Sequence, residues 1–260
     1  MSGKGKGGIR EKEPLAAVDY RLLPMDKTFG QLLVPFALPY FTYVALGALP
    51  PRFIPAEVAG SLRLVLVAAL LWIFRRQYRL GPPLTPRLLF IAVGAGLAAT
   101  AIWILALRFS LALPFWRDHL DEAPASGSTR FPWSLRAAGS VLLVPLFEEL
   151  FCRAYLGEYF HQVPEGAGSF TSRLAQRWDH YPEPIPSPPL SALSIFGCTA
   201  VFTLGHDLSS WVAASLYFLF TTWIYARTRS FGVCMIIHAI ANLSIALLVL
   251  WAPDMRFLWN

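Results

Sequence analysis

The 260-residue chain is 55% hydrophobic and only 15% charged, with nine Trp and nineteen Phe; with a mean hydropathy of +0.49, this excludes an ordinary soluble domain and points to membrane-embedded helices. The net charge of +6 does not indicate nucleic acid: the basic residues gather at the N-terminus and in short gaps between apolar runs, as topology signal and contact with anionic lipid. Cys152, Cys198 and Cys234 all fall inside apolar runs, so neither a disulfide nor a cysteine metal site is expected.

Residues 1–29 hold Lys4, Lys6, Arg10, Lys12, Arg21 and Lys27 with glycines and no apolar core, a basic cytoplasmic tail and not a signal peptide. Residues 30–260 then read as one transmembrane domain. Apolar runs follow at 31–50, 60–74, 87–108, 134–157, 190–207, 209–226 and 231–251, each near the roughly 20 residues of a spanning helix. The predicted fold is therefore all-α, a polytopic membrane helical bundle of about seven transmembrane helices. The second run is short and contains Arg63; residues 110–116 suit an interfacial helix. Pro35 and Pro39 predict a kink in the first span, and the proline-rich segment 182–189 predicts a stiff, extended loop end. With the N-terminus inside, Arg75, Arg76, Arg79, Arg173, Arg177, Arg227 and Arg229 also lie inside, whereas Arg52, Arg117 and Arg130 lie outside.

Three motifs break the apolar runs in order: Glu148-Glu149-x-x-x-Arg153, Phe202-x-x-x-His206 and His238-x-x-x-Asn242. A charge at the centre of a membrane helix costs roughly 2.5–3.5 kcal/mol, so such residues are paired or functional. Neighbours on a helix point about 100° apart, so Glu148 and Glu149 cannot share a direction. Glu149 stands four residues before Arg153, the favourable order for an ion pair, which gives it a structural role. Glu148 is left to face the interior, where a desolvated carboxylate has a raised pKa and can act as general base toward water. The alternative is that both acids pair with Arg153 and hold helices together. His206 alone is weak: it could pack at an interface or pair with Asp207. His238 and Asn242 share a helix face and suit oxyanion binding or water positioning, with interhelical hydrogen bonding as the alternative.

This ordered trio resembles the CPBP (also called ABI) family of intramembrane proteases, whose eukaryotic members are the type II CAAX prenyl endopeptidases. The resemblance covers about 134–251; Ala154 stands where many members carry Gly. It implies that Glu148 activates a water for attack on a peptide carbonyl and His206 helps hold it. By the same resemblance His238 and Asn242 stabilise the oxyanion, while Glu149, Arg153 and Phe202 support the geometry. The implied protein is a membrane endopeptidase, in a bacterial inner membrane with its N-terminus cytoplasmic, cleaving near the cytoplasmic face. Its partners are a peptide or lipidated protein substrate and membrane lipid, with no nucleic acid. No cofactor is expected; the alternative is zinc on Glu148, His206 and His238, one Glu and two His with an open fourth position. A non-catalytic scaffold or immunity protein of the same fold is the competing class.

Overall fold

A computed structural model describes residues 22–50, 52–81, 83–113, 133–164, 166, 168–184 and 190–252. The tail up to residue 21, Arg117, Arg130, the part of the interfacial helix beyond 113 and the proline-rich residues 185–189 lie outside the described residues. Every regular element among the described residues is helical. The first three are α1 (Phe29–Gly47), α2 (Ala56–Phe74) and α3 (Pro86–Ala112). The fourth apolar run forms a chain of short helices: α4 (Trp133–Leu142), α5 (Val144–Glu148), a π-helical segment (Glu149–Tyr155) and α6 (Leu156–His161). α7 (Phe170–Trp178), α8 (Ala192–Leu204), α9 (Trp211–Thr228) and α10 (Phe231–Trp251) follow.

Four helical segments are long and apolar enough to cross a bilayer: Phe29–Gly47, Val58–Gln77, Pro86–Ala112 and Phe231–Trp251. The expectation of about seven spans is therefore not met by length and composition, and each shortfall has a local cause. The fourth run is interrupted where Pro145, at the start of α5, brings no backbone N–H. α8 has 13 residues, about 20 Å at the helical rise, against a hydrocarbon core of about 30 Å. α9 carries Ser215, Thr221, Thr222 and Arg227, which lower its apolarity. Residues 110–112 continue α3 instead of starting an interfacial helix.

Side-chain oxygens set the helix starts. Thr28 and Gln31 form a reciprocal capping box on α1, while Thr85, Ser191 and Ser230 cap α3, α8 and α10. α1 runs unbroken through Pro35 and Pro39. Pro39 cannot donate to the Pro35 carbonyl one turn back, and the Tyr78 hydroxyl donates to it instead at 2.7 Å. On α3, Ala92, Ala95, Gly96 and Ala99 form a buried small-residue stripe. At Gly96 a Cβ would lie 2.7 Å from the Ile240 side chain, so this stripe lets α3 lie close along α10. Phe90, Leu105, Phe196 and Trp251 point outward, the apolar exterior a bilayer would cover.

Candidate active site

Glu148 ends α5 and Glu149 begins the π-helical segment, so the pair sits where the helix widens. Such segments recur at functional sites because the extra residue re-aims side chains. Glu149 is almost fully buried and receives the Arg153 Nε hydrogen bond at 2.5 Å. Arg153 Nη1 donates to Thr222 Oγ1 at 3.0 Å and Nη2 to Thr221 Oγ1 at 2.9 Å, and the guanidinium lies over the Phe218 ring. One buried arginine thereby satisfies most of its donors and locks the π-helical segment to α9.

His238 projects from α10 between the two carboxylates. Its Nε2 is 3.7 Å from Glu148 Oε2, and its Nδ1 is 3.3 Å from Glu149 Oε1. Glu149 therefore does not simply turn away from the site: it backs the far side of the His238 ring while Arg153 holds its other oxygen. Glu148 Oε2, Glu149 Oε1 and His238 Nδ1 are buried without a hydrogen-bond partner among the described residues, so these contacts are close approaches, not aligned hydrogen bonds. A separation of 3.7 Å suits two groups that share a water.

His206 lies just past the end of α8. Its Nδ1 is 2.8 Å from the Phe202 carbonyl, so this partner, and not Asp207, orients the ring. The Nδ1–H donating to that carbonyl is assigned from the contact and leaves Nε2 as the free nitrogen. The Phe202 ring packs against both imidazoles, with centroids 4.7 Å from His206 and 6.1 Å from His238. Asn242 Nδ2 donates to the Ser140 carbonyl at 2.8 Å, an interhelical bond between α10 and α4 that uses one of its two N–H groups.

A single cavity of about 480 Å³ brings Glu148, Phe202, His206, His238 and Asn242 together; Glu149 and Arg153 do not line it. The three motifs lie on the fourth, fifth and seventh apolar runs, but Tyr43 of α1, Arg63 of α2, Trp103 of α3 and Tyr217 of α9 also form the cavity wall. Arg63 was the one signal available, a charge inside an apolar run. Trp103 and Tyr217 look like any other buried aromatics in sequence.

Around Glu148 and His238, the remaining wall comes from the C-terminal ends of α1, α3 and α8, the N-terminal parts of α2, α4 and α9, and the later half of α10. The cavity thus extends toward the bundle end that carries Ala48, Gly205 and Ser210. The N-terminus of α1, Arg75, Arg76, Arg173 and Arg229 belong to the other end. The cavity and the N-terminus of α1 thus lie toward opposite ends of the bundle.

Among the described residues, no group of three or more His, Cys, Asp or Glu side chains is placed to hold a metal ion. Glu148, His206 and His238 share the cavity wall.

Residues 130–244 match the family model described as Type II CAAX prenyl endopeptidase Rce1-like. This segment is Rce1-like. It includes Glu148, Glu149, Arg153, Phe202, His206, His238 and Asn242, whereas Tyr43, Arg63 and Trp103 precede it. No curated protein and no solved structure matches the chain. The Rce1-like segment points to a protease in general terms, and together with the four apolar spans to an integral membrane protein.

Proposed function

We propose that the protein is a CAAX-protease-like intramembrane endopeptidase in which Glu148 is the general base. The observation that carries this reading is the placement of Glu148 and His238, 3.7 Å apart, on the wall of a cavity they share with His206. His206 Nε2 accepts a hydrogen bond from a water, Glu148 takes its proton, and the oxygen attacks the peptide carbonyl carbon. The proton can pass from Glu148 to His238 Nε2, which then presents an N–H to the developing oxyanion alongside the second N–H of Asn242. Collapse of the tetrahedral species releases the amine, which takes the proton back. Glu149 and Arg153 hold His238 and the π-helical segment in place and do not touch the substrate.

The proposed mechanism uses no metal: with Glu148 as a zinc ligand the site would have no separate base, since Glu149 is held by Arg153. The excess of Arg at the far end of the bundle supports placing that end in the cytoplasm, so the cavity serves substrate arriving from the opposite side of the membrane.

The test is purified protein in lipid vesicles, incubated with a peptide library in ¹⁸O water and read by mass spectrometry. Peptides cut with one labelled oxygen at the new carboxyl terminus are expected, with activity retained after 1,10-phenanthroline. Stoichiometric zinc by elemental analysis, with activity lost on chelation and restored by zinc, would instead give Glu148, His206 and His238 ligand roles.

A further inference from the structure

Arg63 is a charge in the cavity wall that the proposed chemistry does not use. It lies seven residues into α2, about 10 Å along the helix from its start, at a depth where an unpaired charge is costly. Its guanidinium lies over the Tyr43 ring at 4.4 Å, a contact that supports one face and leaves the N–H edge open to an anion. The backbone makes room for it: a Cβ at Gly47 would lie 2.8 Å from Arg63 Nη1. Arg63 Nε is buried without a hydrogen-bond partner among the described residues. Arg136 lines the same cavity, and the carboxylates on its described wall are Glu148, assigned to the water, and Asp207 beyond α8.

We propose that Arg63, with Arg136 beside it in the cavity wall, forms a subsite for a carboxylate of the peptide substrate, toward the mouth from the bond that is cut. This deepens the protease reading and rests on it for the identity of the ligand as substrate. Arg136 precedes Glu148 by twelve residues along the same run of helices, roughly 18 Å at the helical rise. An extended peptide covers that in about five residues, fewer where the arginine side chain reaches inward. The carboxylate comes from a chain terminus or from an acidic side chain.

The test uses the full-length protein carrying Glu148→Gln in phosphatidylcholine nanodiscs, so that binding is read without turnover. The probes are N-dansyl-trileucine as the free acid, the same peptide as its C-terminal amide, and the amide with Glu replacing the last Leu. At least one anionic probe is expected to bind about tenfold or more tightly than the neutral amide. Adding Arg63→Gln should erase that preference and leave the neutral probe's affinity unchanged, which also reports an intact fold. Adding Arg63→Lys should keep part of it. Preference for the free acid assigns the chain terminus; preference for the Glu-containing amide assigns a side chain. Three probes that bind alike, no binding by any, or equal loss of all three with Arg63→Gln would overturn the subsite. Charge preference without cleavage by the wild-type protein keeps the subsite and rejects the protease reading; cleavage without charge preference does the reverse.

Discussion

On one side of the His238 ring, Glu148 borders an open cavity with an oxygen that has no hydrogen-bond partner among the described residues. On the other, Glu149 is buried, bound to an arginine that also takes two threonine hydroxyls. Two identical side chains, adjacent in sequence, thus occupy opposite environments. The buried side is built on an ion pair in which Arg153 is matched by Glu149 Oε2, Thr221 and Thr222, although Glu149 Oε1 and His238 Nδ1, which face each other, also lack a hydrogen-bond partner among the described residues. The open side differs in that Glu148 lines a cavity beside His206 and His238, so its unsatisfied oxygen is placed where it can be used and its cost in stability offset by function. The contrast teaches that access to a cavity, and not a missing partner alone, separates the carboxylate placed to act from the one that supports it.

The largest expected effect breaks the buried side. Arg153→Met leaves Glu149 as an uncompensated buried charge, and the loss should be about 3–5 kcal/mol, visible as a large drop in thermal unfolding temperature of the detergent-solubilised protein. A small drop would mean that the pair is not what holds the π-helical segment to α9. Next is His238→Ala, which removes the group between the two carboxylates but keeps Glu148. Cleavage should fall by about 10²–10³ without vanishing, as measured by kcat with a cleavable peptide; complete loss would move His238 from oxyanion stabilisation to an indispensable role. Asn242→Ala deletes the bond to the Ser140 carbonyl and should cost about 1 kcal/mol in unfolding, with a smaller drop in kcat than His238→Ala.

The smallest perturbation sharpens the comparison in space. Ser210→Cys, at the cavity end, should react with a membrane-impermeant maleimide added from outside intact cells, while Ser172→Cys, at the other end, should not. The three native cysteines are buried, so the background is low. The reverse labelling pattern would place the cavity mouth in the cytoplasm.

Much of the architecture was legible in sequence because apolar runs and capping residues are local signals: Thr28, Thr85, Ser191 and Ser230 stand directly before the helices they cap. The number of full spans was not, since an apolar run does not show where its helix breaks or stops: the fourth run breaks at Pro145 and α8 ends at Leu204, short of its run's end. The π-helical segment has no composition signature; it widens the helix without leaving a distinct pattern. The sequence spacing paired Glu149 with Arg153, and the structure places them in contact, but the approach of Glu149 to His238 links residues far apart in the chain. Asn242 showed the limit from the other side: its helix face was readable, and its bond to Ser140 was not. The cavity wall from α1, α2 and α3 was visible only through the odd placement of Arg63.

The central claim, that Glu148 is the base and Glu149 is not, is tested most directly by comparing Glu148→Gln and Glu149→Gln per mole of folded protein. The assay is peptide cleavage by vesicle-reconstituted enzyme, with folding scored by thermal unfolding. The account predicts that Glu148→Gln lowers kcat by about 10²–10⁴ while its unfolding temperature stays near wild type, and that Glu149→Gln lowers stability with a smaller loss of cleavage in the fraction that remains folded. Full activity in Glu148→Gln, or abolished activity in a stable Glu149→Gln, would contradict it.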